Sequence, residues 1–493
     1  MKTFRRSLTL LPGLLVMACS HTMPPYAAKP VPPPQFQVPS LVAAQVPPSQ
    51  LPDSSLPVTL VLDLTPVERS LQAAMPERFS DKDHATLKRD YRWDFIRDGQ
   101  PQVDIQDGMV TVRTMYRGEI EAKTESRGCH LDPVFPVLTT TGPLELRQDG
   151  NALVLGMKNP QMDIDVGPES DNKCNMFNVP VKLQLAELFN KGELLQNVKT
   201  AVEQGNFRIP LQQVWTRLES PVAVTVANIN TQACLYGKPV EMAIGSLKGT
   251  TQRTTIPIVV KETPTATFEA ACHTASSRSM KVTAGTALME GQPYKVLASV
   301  AVPYAAMNQA FQEHLYHQQM TFGGMMKDKV VIEQVTASDS SGKVLITVPT
   351  TGDLNGTIYY WGTPKLDSGG SVMTVPDLQM ASESKAMLDG VKAGYWQLID
   401  QQLRDRLQAV ARVDLSDRIA KMKTAMTGTH RTGDMTMDVQ IARHQPQRAY
   451  STPGALVADI LFEGTASATT PIAMETSPGS DKILNKAPVV SHR

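Results

Sequence analysis

Four cysteines could form disulfide bonds, and two of them stand directly before a histidine. They are Cys129, Cys174, Cys234 and Cys272. The N-terminus predicts export, and an even set of cysteines in an exported protein indicates disulfides. Three pairings are open; we favour Cys129–Cys174 and Cys234–Cys272, which close the shortest loops. Adjacent side chains of a strand point to opposite faces, so Cys129-His130 and Cys272-His273 do not form thiol–imidazole dyads.

Two further groups of residues could bind a metal ion. His314 and His317 are three apart on a predicted helix but lack a clear third ligand. The acidic segment Asp163, Asp165, Glu169 and Asp171 lacks the ligand spacing and central glycine of an EF-hand loop. The sequence contains no nucleophile elbow, zincin helix, P-loop or dinucleotide fingerprint. We therefore predict no catalytic residues, no metal and no cofactor, and rank an enzyme third among the possible functions.

The first twenty residues predict export and lipidation. Lys2, Arg5 and Arg6 precede a short apolar run that ends at Ala18 and Cys19. This pattern resembles the lipobox of bacterial lipoproteins, in which the cysteine carries acyl chains and anchors the protein. Ser20 resembles the outer-membrane sorting pattern, which implies a periplasm-facing protein at the outer membrane. A plain cleaved signal or membrane anchor with an incidental cysteine is the alternative.

Residue composition distinguishes the terminal segments from the folded part of the chain. We predict a signal peptide over 1–18, a lipidated tether over 19–56 and a loose tail over 471–493. Eleven prolines lie between His21 and Pro57, which favours extended polyproline II; a disordered leader without a spacing role is the alternative. The 48 basic and 48 acidic residues balance, which argues against a nucleic-acid partner.

The body of the chain contains a weak internal repeat. Thr65-Pro66-Val67-Glu68 predicts a capped helix start, and a related helix pattern begins at Pro303. Asp107-Gly108 and Ser341-Gly342 each precede alternating apolar residues, as hairpin turns do. We predict a first module over 57–270, enlarged by a loop around 120–175, and a second module over 290–470.

Each module also contains a long helical pattern with an apolar stripe. The predicted fold is α+β: two tandem related modules, each with a long amphipathic helix packed in a curved antiparallel sheet. The stripes belong either to a closed core or to a groove for lipid tails. The groove candidates are Leu188, Leu195, Val198, Val202, Leu388, Val391, Tyr395, Ile399, Leu403 and Leu407.

Two resemblances follow from these residues. The helix ending near Met75-Pro76 and the segment Trp215–Pro221 resemble an uncharacterised bacterial lipoprotein family known only as a domain of unknown function. Met422 stands near the Trp215 position in the second copy, which argues against a shared role for that tryptophan. More distantly, the layout resembles the tubular lipid-binding superfamily that includes bactericidal/permeability-increasing protein. This resemblance implies a protein that binds or shuttles lipid-like amphiphiles; a scaffold that binds a protein or the cell wall is the alternative.

Overall fold

The computed structural model describes most of the chain between Asp53 and Glu475. The described ranges are 53–80, 90–123, 128–165, 175–176, 179–180, 191–225, 232–273, 279–284, 292–322, 328–382 and 393–475. The signal peptide, most of the tether and most of the tail lie outside these ranges, as do Cys19, Cys174, Leu188, Leu388 and Val391.

Six helices lie in the described ranges. They are α1 (Thr65–Ala74), α2 (Lys191–Gln204), α3 (Leu211–Glu219), α4 (Tyr304–Leu315), α5 (Ala393–Val410) and α6 (Ser416–Met426). The start of α1 differs from its predicted cap, because the backbone N–H of Thr65 donates to the carboxylate of Asp63 at 2.9 Å. This bond and one from the Thr65 hydroxyl, which is the larger cause, lower the pKa of Asp63. No described helix combines the length and apolar character needed to cross a membrane.

Strands make up most of the described structure. In the first half they are β1 (Ser54–Leu62), β2 (Arg78–Ser80), β3 (Asp90–Arg97), β4 (Gln102–Gln106), β5 (Met109–Lys123), β6 (Gly128–Val134), β7 (Val137–Asp149), β8 (Ala152–Met157), β9 (Gln161–Asp165), β10 (Asn175–Met176), β11 (Val179–Pro180), β12 (Arg208–Pro210), β13 (Val222–Thr225), β14 (Gln232–Tyr236), β15 (Pro239–Ile244), β16 (Lys248–Thr250), β17 (Arg253–Glu262), β18 (Thr265–Glu269) and β19 (Val282–Ala284).

The second half adds further strands and ends on two long ones. They are β20 (Tyr294–Pro303), β21 (Gln319–Phe322), β22 (Asp328–Ile332), β23 (Thr336–Ser340), β24 (Lys343–Gly352), β25 (Gly356–Gly362), β26 (Lys365–Leu366), β27 (Val372–Thr374), β28 (Gln379–Ser382), β29 (Val413–Asp414), β30 (Gly428–Thr432), β31 (Met435–Ser451) and β32 (Ala455–Pro471).

The predicted fold class is wrong. A single network of 21 strands includes β1 to β9 and β30 to β32 and so joins both predicted modules. The network is mixed, because β1 pairs parallel with β32 and β18 pairs parallel with β20. The helices are short beside this sheet: α2 has 14 residues and α5 has 18. The fold is therefore mostly β, and two long helices wrapped by separate antiparallel sheets do not describe it. The module boundaries themselves stay a prediction.

The two X-Gly turns form hairpins, as their sequences predict. Asp107 and Gly108 have φ angles of 49° and 77°, and Ser341 and Gly342 have φ angles of 54° and 79°. Two successive residues in the left-handed region match the right-handed twist of the strands they connect. The turns join β4 to β5 and β23 to β24 with antiparallel pairing.

The core lies on the inner face of the strand network and under the helices. Along β1 each second residue, from Ser54 to Leu62, is buried. Val67 and Leu71 of α1 and Val214 and Trp215 of α3 are fully buried against the same core. Period-two burial on the strands and period-3.6 burial on the helices thus direct both kinds of element into one interior.

Candidate functional site

A narrow apolar cleft lies where strands of the first half meet the C-terminal helix–strand segment. Its walls leave no room for a water-sized sphere between them. Its walls come from β13, β14 and β18 on one side and from α6 and β30 on the other. The lining residues are Val222, Val224, Ala233, Cys234, Leu235, Ala266, Ala425, Met426 and His430.

Strand pairing positions the first wall. In β13 and β14, Val222 lies opposite Leu235 and Val224 lies opposite Ala233. In β14 and β18, Leu235 lies opposite Ala266. Directly opposed residues of an antiparallel pair project to the same side, so these small and branched side chains form one apolar surface.

The second wall comes from the end of α6 and the strand after it. Ala425 and Met426 are buried at the last turn of the helix. The Nε2 atom of His430 lies 2.9 Å from the carbonyl oxygen of Met426. His430 is the one polar side chain among the residues that line this wall. Its imidazole is held in place by the backbone of Met426. The Cα atoms of β13 and β30 approach within 8 Å, although the described ranges show no ladder between them.

A disulfide bond fixes the first wall. Cys234 and Cys272 are bonded, with their Cα atoms 5.5 Å apart. This confirms the predicted pairing of these two cysteines. The other predicted pair is Cys129–Cys174. Cys174 and the side chain of Cys129 lie outside the described residues.

Polar groups collect on the opposite face of β14 and β18. The carboxylate of Glu269 accepts hydrogen bonds from the hydroxyls of Tyr236 at 3.0 Å and Thr267 at 2.5 Å. His273 Nε2 lies 3.6 Å from the same carboxylate. Burial is the main cause that raises the pKa of Tyr236. The two faces of this sheet segment thus separate an apolar cleft from a hydrogen-bonded surface cluster.

The predicted groove residues lie elsewhere. Val198 and Val202 on α2 and Ile399, Leu403 and Leu407 on α5 are buried by protein atoms. Leu195 is half-buried on α2, and Tyr395 lies in α5, but the structure does not describe its side chain. None of these residues lines the cleft. The role of these residues as lipid contacts stays a prediction. The cleft residues come from distant segments, and no pattern in the sequence marks them.

The two weak metal-site candidates gain no further ligands among the residues that the structure describes. Within the described ranges no three His, Cys, Asp or Glu side chains form a group that could hold a metal ion. His317 instead lies 3.3 Å from a carboxylate oxygen of Glu333. Asp163 and Asp165 are exposed on β9, and Glu169 and Asp171 lie outside the described residues.

The described residues form a β-rich fold with an apolar cleft, and no group of metal ligands lies among them. Residues 52–469 match a family model described as a domain of unknown function (DUF4403). The chain belongs to this family. No functionally curated protein matches the chain.

Two solved structures show weak similarity over most of their length. The crystal structure of lipopolysaccharide binding protein is 10% identical, with a TM-score of 0.22, and the match covers 84% of this chain and 95% of that one. The crystal structure of P47 of Clostridium botulinum E1 is 9% identical, with a TM-score of 0.21, and covers 84% of this chain and 98% of that one.

Proposed function

We propose that this protein is an outer-membrane lipoprotein, anchored through Cys19 and facing the periplasm, that binds lipid-like amphiphiles. The cleft between α6 and β13–β14–β18 is the proposed site. The observation that supports it is the lining, which is apolar except for the imidazole of His430. Apolar pockets with a few polar groups at one side are the usual form of a small-molecule site.

The narrowness of the cleft limits what could enter it. In this structure it leaves no room for a water-sized sphere, whereas sites for drug-sized ligands enclose roughly 300–1,000 Å³, so an occupant would have to move α6 away from the strands. A peptide strand added between β13 and β30 would need about 9.5 Å between their backbones, twice the usual strand spacing. The strands approach within 8 Å. A single acyl chain carries no backbone polar groups that would lack partners between apolar walls, and it is therefore the occupant we propose.

Cross-linking tests the cleft directly. A single-chain fatty acid with a photoreactive group in its tail should label peptides from β13, β14 or α6 in the purified protein. Ala425→Phe, which fills the cleft, should lower the yield at least several-fold. Ala420→Phe is the matched control, because Ala420 is exposed on the same helix. Labelling of α2 and α5 instead would place the site at the predicted helix stripes and contradict the cleft.

The anchor has a separate test. Growth with radiolabelled palmitate should label the protein, and Cys19→Ser should abolish that label. Cys129→Ser should leave the label unchanged, since only the lipobox cysteine becomes acylated. Retained label in Cys19→Ser would contradict the lipoprotein assignment without affecting the cleft.

A scaffold role is the second candidate, and one observation favours it. Ile399, Leu403 and Leu407 are packed against protein, with exposures of 2%, 0% and 0%. A filled interior of this kind suits a solid structural module as well as a carrier. Lipid extraction from protein purified out of membranes separates the two, because only an amphiphile binder should release a bound lipid in near-stoichiometric amount.

A further inference from the structure

An exposed apolar face lies on the outer side of β3 and β5, two strands that do not line the cleft. Ile96 lies opposite Arg117 in the pairing of these strands. On the other side of β5, the N–H of Tyr116 donates to the carbonyl of Pro136 at 2.9 Å, which sets Phe135 beside Arg117. Met115 is two residues from Arg117 on the same face. Ile96, Met115, Arg117 and Phe135 are called the outer face below.

The apolar side chains of the outer face are unusually exposed. Ile96 is 57% exposed, Met115 46% and Phe135 48%. Their neighbours on the inner side, Phe95 and Tyr116, are 1% and 0% exposed. The sheet therefore already has a packed interior here, and the three exposed side chains do not belong to it. Clustered exposed apolar residues on a soluble domain mark an interaction surface.

Arg117 supplies a cationic group at the centre of this surface. It is exposed, and it forms no ion pair with any residue that the structure describes. A guanidinium binds phosphate oxygens well, and its stem can lie along apolar side chains while the charged end stays hydrated. Ile96 and Phe135 lie on either side of Arg117. Apolar side chains around a cationic group match the boundary between acyl chains and phosphate groups in a bilayer.

We propose that the outer face rests on a lipid bilayer, with Ile96, Met115 and Phe135 in the acyl region and Arg117 at the phosphates. This proposal goes beyond amphiphile binding. It rests on the proposed lipid anchor, which would keep the protein next to a bilayer. The predicted tether from Cys19 to the first described residue, Asp53, could span on the order of 100 Å if extended. The anchored fold therefore stays within reach of its own membrane, at high effective concentration.

The charges around the outer face define the kind of membrane. Arg113 and Arg117 are exposed on β5, but so are Glu119 on β5 and Asp98 directly after β3. Arg78, which lies opposite Ile96 on β2, forms an ion pair with Asp94 of β3. This mixture gives no basic surplus to attract anionic lipid. Binding should therefore depend on apolar burial and change little between zwitterionic vesicles and vesicles with added anionic lipid.

Vesicle binding of the full chain with Cys19→Ser tests this proposal without the anchor. The protein should co-sediment with phosphatidylcholine–phosphatidylethanolamine vesicles. The triple variant Ile96→Ser, Met115→Ser, Phe135→Ser should lower the partition coefficient at least about tenfold. A control triple, Tyr316→Ser, Val240→Ser, Leu398→Ser, changes side chains that are 48%, 39% and 49% exposed and lie on neither β3 nor β5. It should bind like the parent.

Depth measurement adds a readout that does not depend on a loss of binding. Phe135→Trp should be quenched by lipids brominated in the acyl chain, and Val240→Trp should not be quenched beyond the parent. No vesicle binding by the parent, or an equal loss in both triples, would overturn the proposal. So would a concentration-dependent dimer that the first triple abolishes, since the face would then bind a second copy. Photolabelling of the cleft is independent of all these outcomes.

Discussion

Arg217 and Thr470 are 253 residues apart in the chain, yet the Arg217 guanidinium donates a hydrogen bond of 2.6 Å to the Thr470 hydroxyl. The same guanidinium donates to the carbonyl of Pro471 at 3.2 Å and lies 3.4 Å from the carboxylate of Asp434. Thr470 is fully buried, at the end of β32 where that strand pairs with β1. One side chain of α3 thus ties the first half of the fold to its last strand.

Removing this side chain should destabilise the junction. We expect Arg217→Ala to lower the free energy of unfolding by about 1–3 kcal/mol, because a buried hydroxyl and a carbonyl lose a charged donor. Urea unfolding followed by circular dichroism measures the change. Arg253→Ala, at an exposed arginine, is the matched control and should cost less than about 0.5 kcal/mol. Equal effects of the two substitutions would contradict the role given to Arg217.

The buried indole of Trp215 should be coupled to Glu219. Its Nε1–H donates to a Glu219 carboxylate oxygen at 3.0 Å, and both side chains are buried. Trp215→Phe removes the donor and should cost about 1–3 kcal/mol. Glu219→Gln keeps an amide oxygen as acceptor and should cost less. A double-mutant cycle gives the coupling directly, and a coupling energy near zero would contradict the pairing.

The disulfide should stabilise the wall of the cleft. Replacing both Cys234 and Cys272 with serine should lower the free energy of unfolding by about 2–4 kcal/mol, as is typical when a cross-link closes a loop of this size. The cysteines are 38 residues apart. Peptide mapping without reductant should recover the Cys234–Cys272 peptide pair. Recovery of free thiols at both positions, or of Cys234 linked to Cys129, would contradict the structure.

Glu262 should make stability depend on pH. Its carboxyl group is buried at 1% exposure, and its Oε1 atom has no hydrogen-bond partner among the described residues. Burial raises its pKa from 4.5 to about 7, partly offset by a hydrogen bond with Tyr294. Below about pH 4.5 both folded and unfolded states hold the proton, so stability is highest with respect to this group. Between about 4.5 and 7 only the unfolded state loses its proton, and stability falls by about 3 kcal/mol.

Glu262→Gln should remove this dependence. The variant should show a flatter profile of unfolding free energy from pH 4.5 to 8, and should be more stable than the parent at pH 8. Glu313→Gln, on an exposed helix position, should leave the parent profile unchanged. If the unfolding free energy of the parent rises over this range and that of the Glu262→Gln variant rises equally, the result would contradict a buried, neutral Glu262.

Local features were predictable because short-range chemistry decides them. The Asp107-Gly108 and Ser341-Gly342 turns involve adjacent residues, and the Cys234–Cys272 pair is separated by 38 residues. The position of α1 was predicted, but its Thr65 cap was not formed. The fold class was predicted wrongly because apolar periodicity in the α2 and α5 segments shows which faces are buried but not what buries them. The cleft was not predicted at all, since Val222, Ala266 and Met426 come from three distant segments and none is unusual alone.

The sequence by itself determined the residues that turn, those that face inward along each strand, and the chemistry available to the molecule. It contains a lipobox-like Cys19, a balanced charge and no recognisable catalytic motif. Only the tertiary structure decided that β1 pairs parallel with β32, with Val58 opposite Ala468. Such pairing depends on closing a loop of nearly the whole chain and on the packing of both faces, which no local pattern encodes. The Arg217–Thr470 contact lies at that closure, because Thr470 is opposite Leu60 of β1.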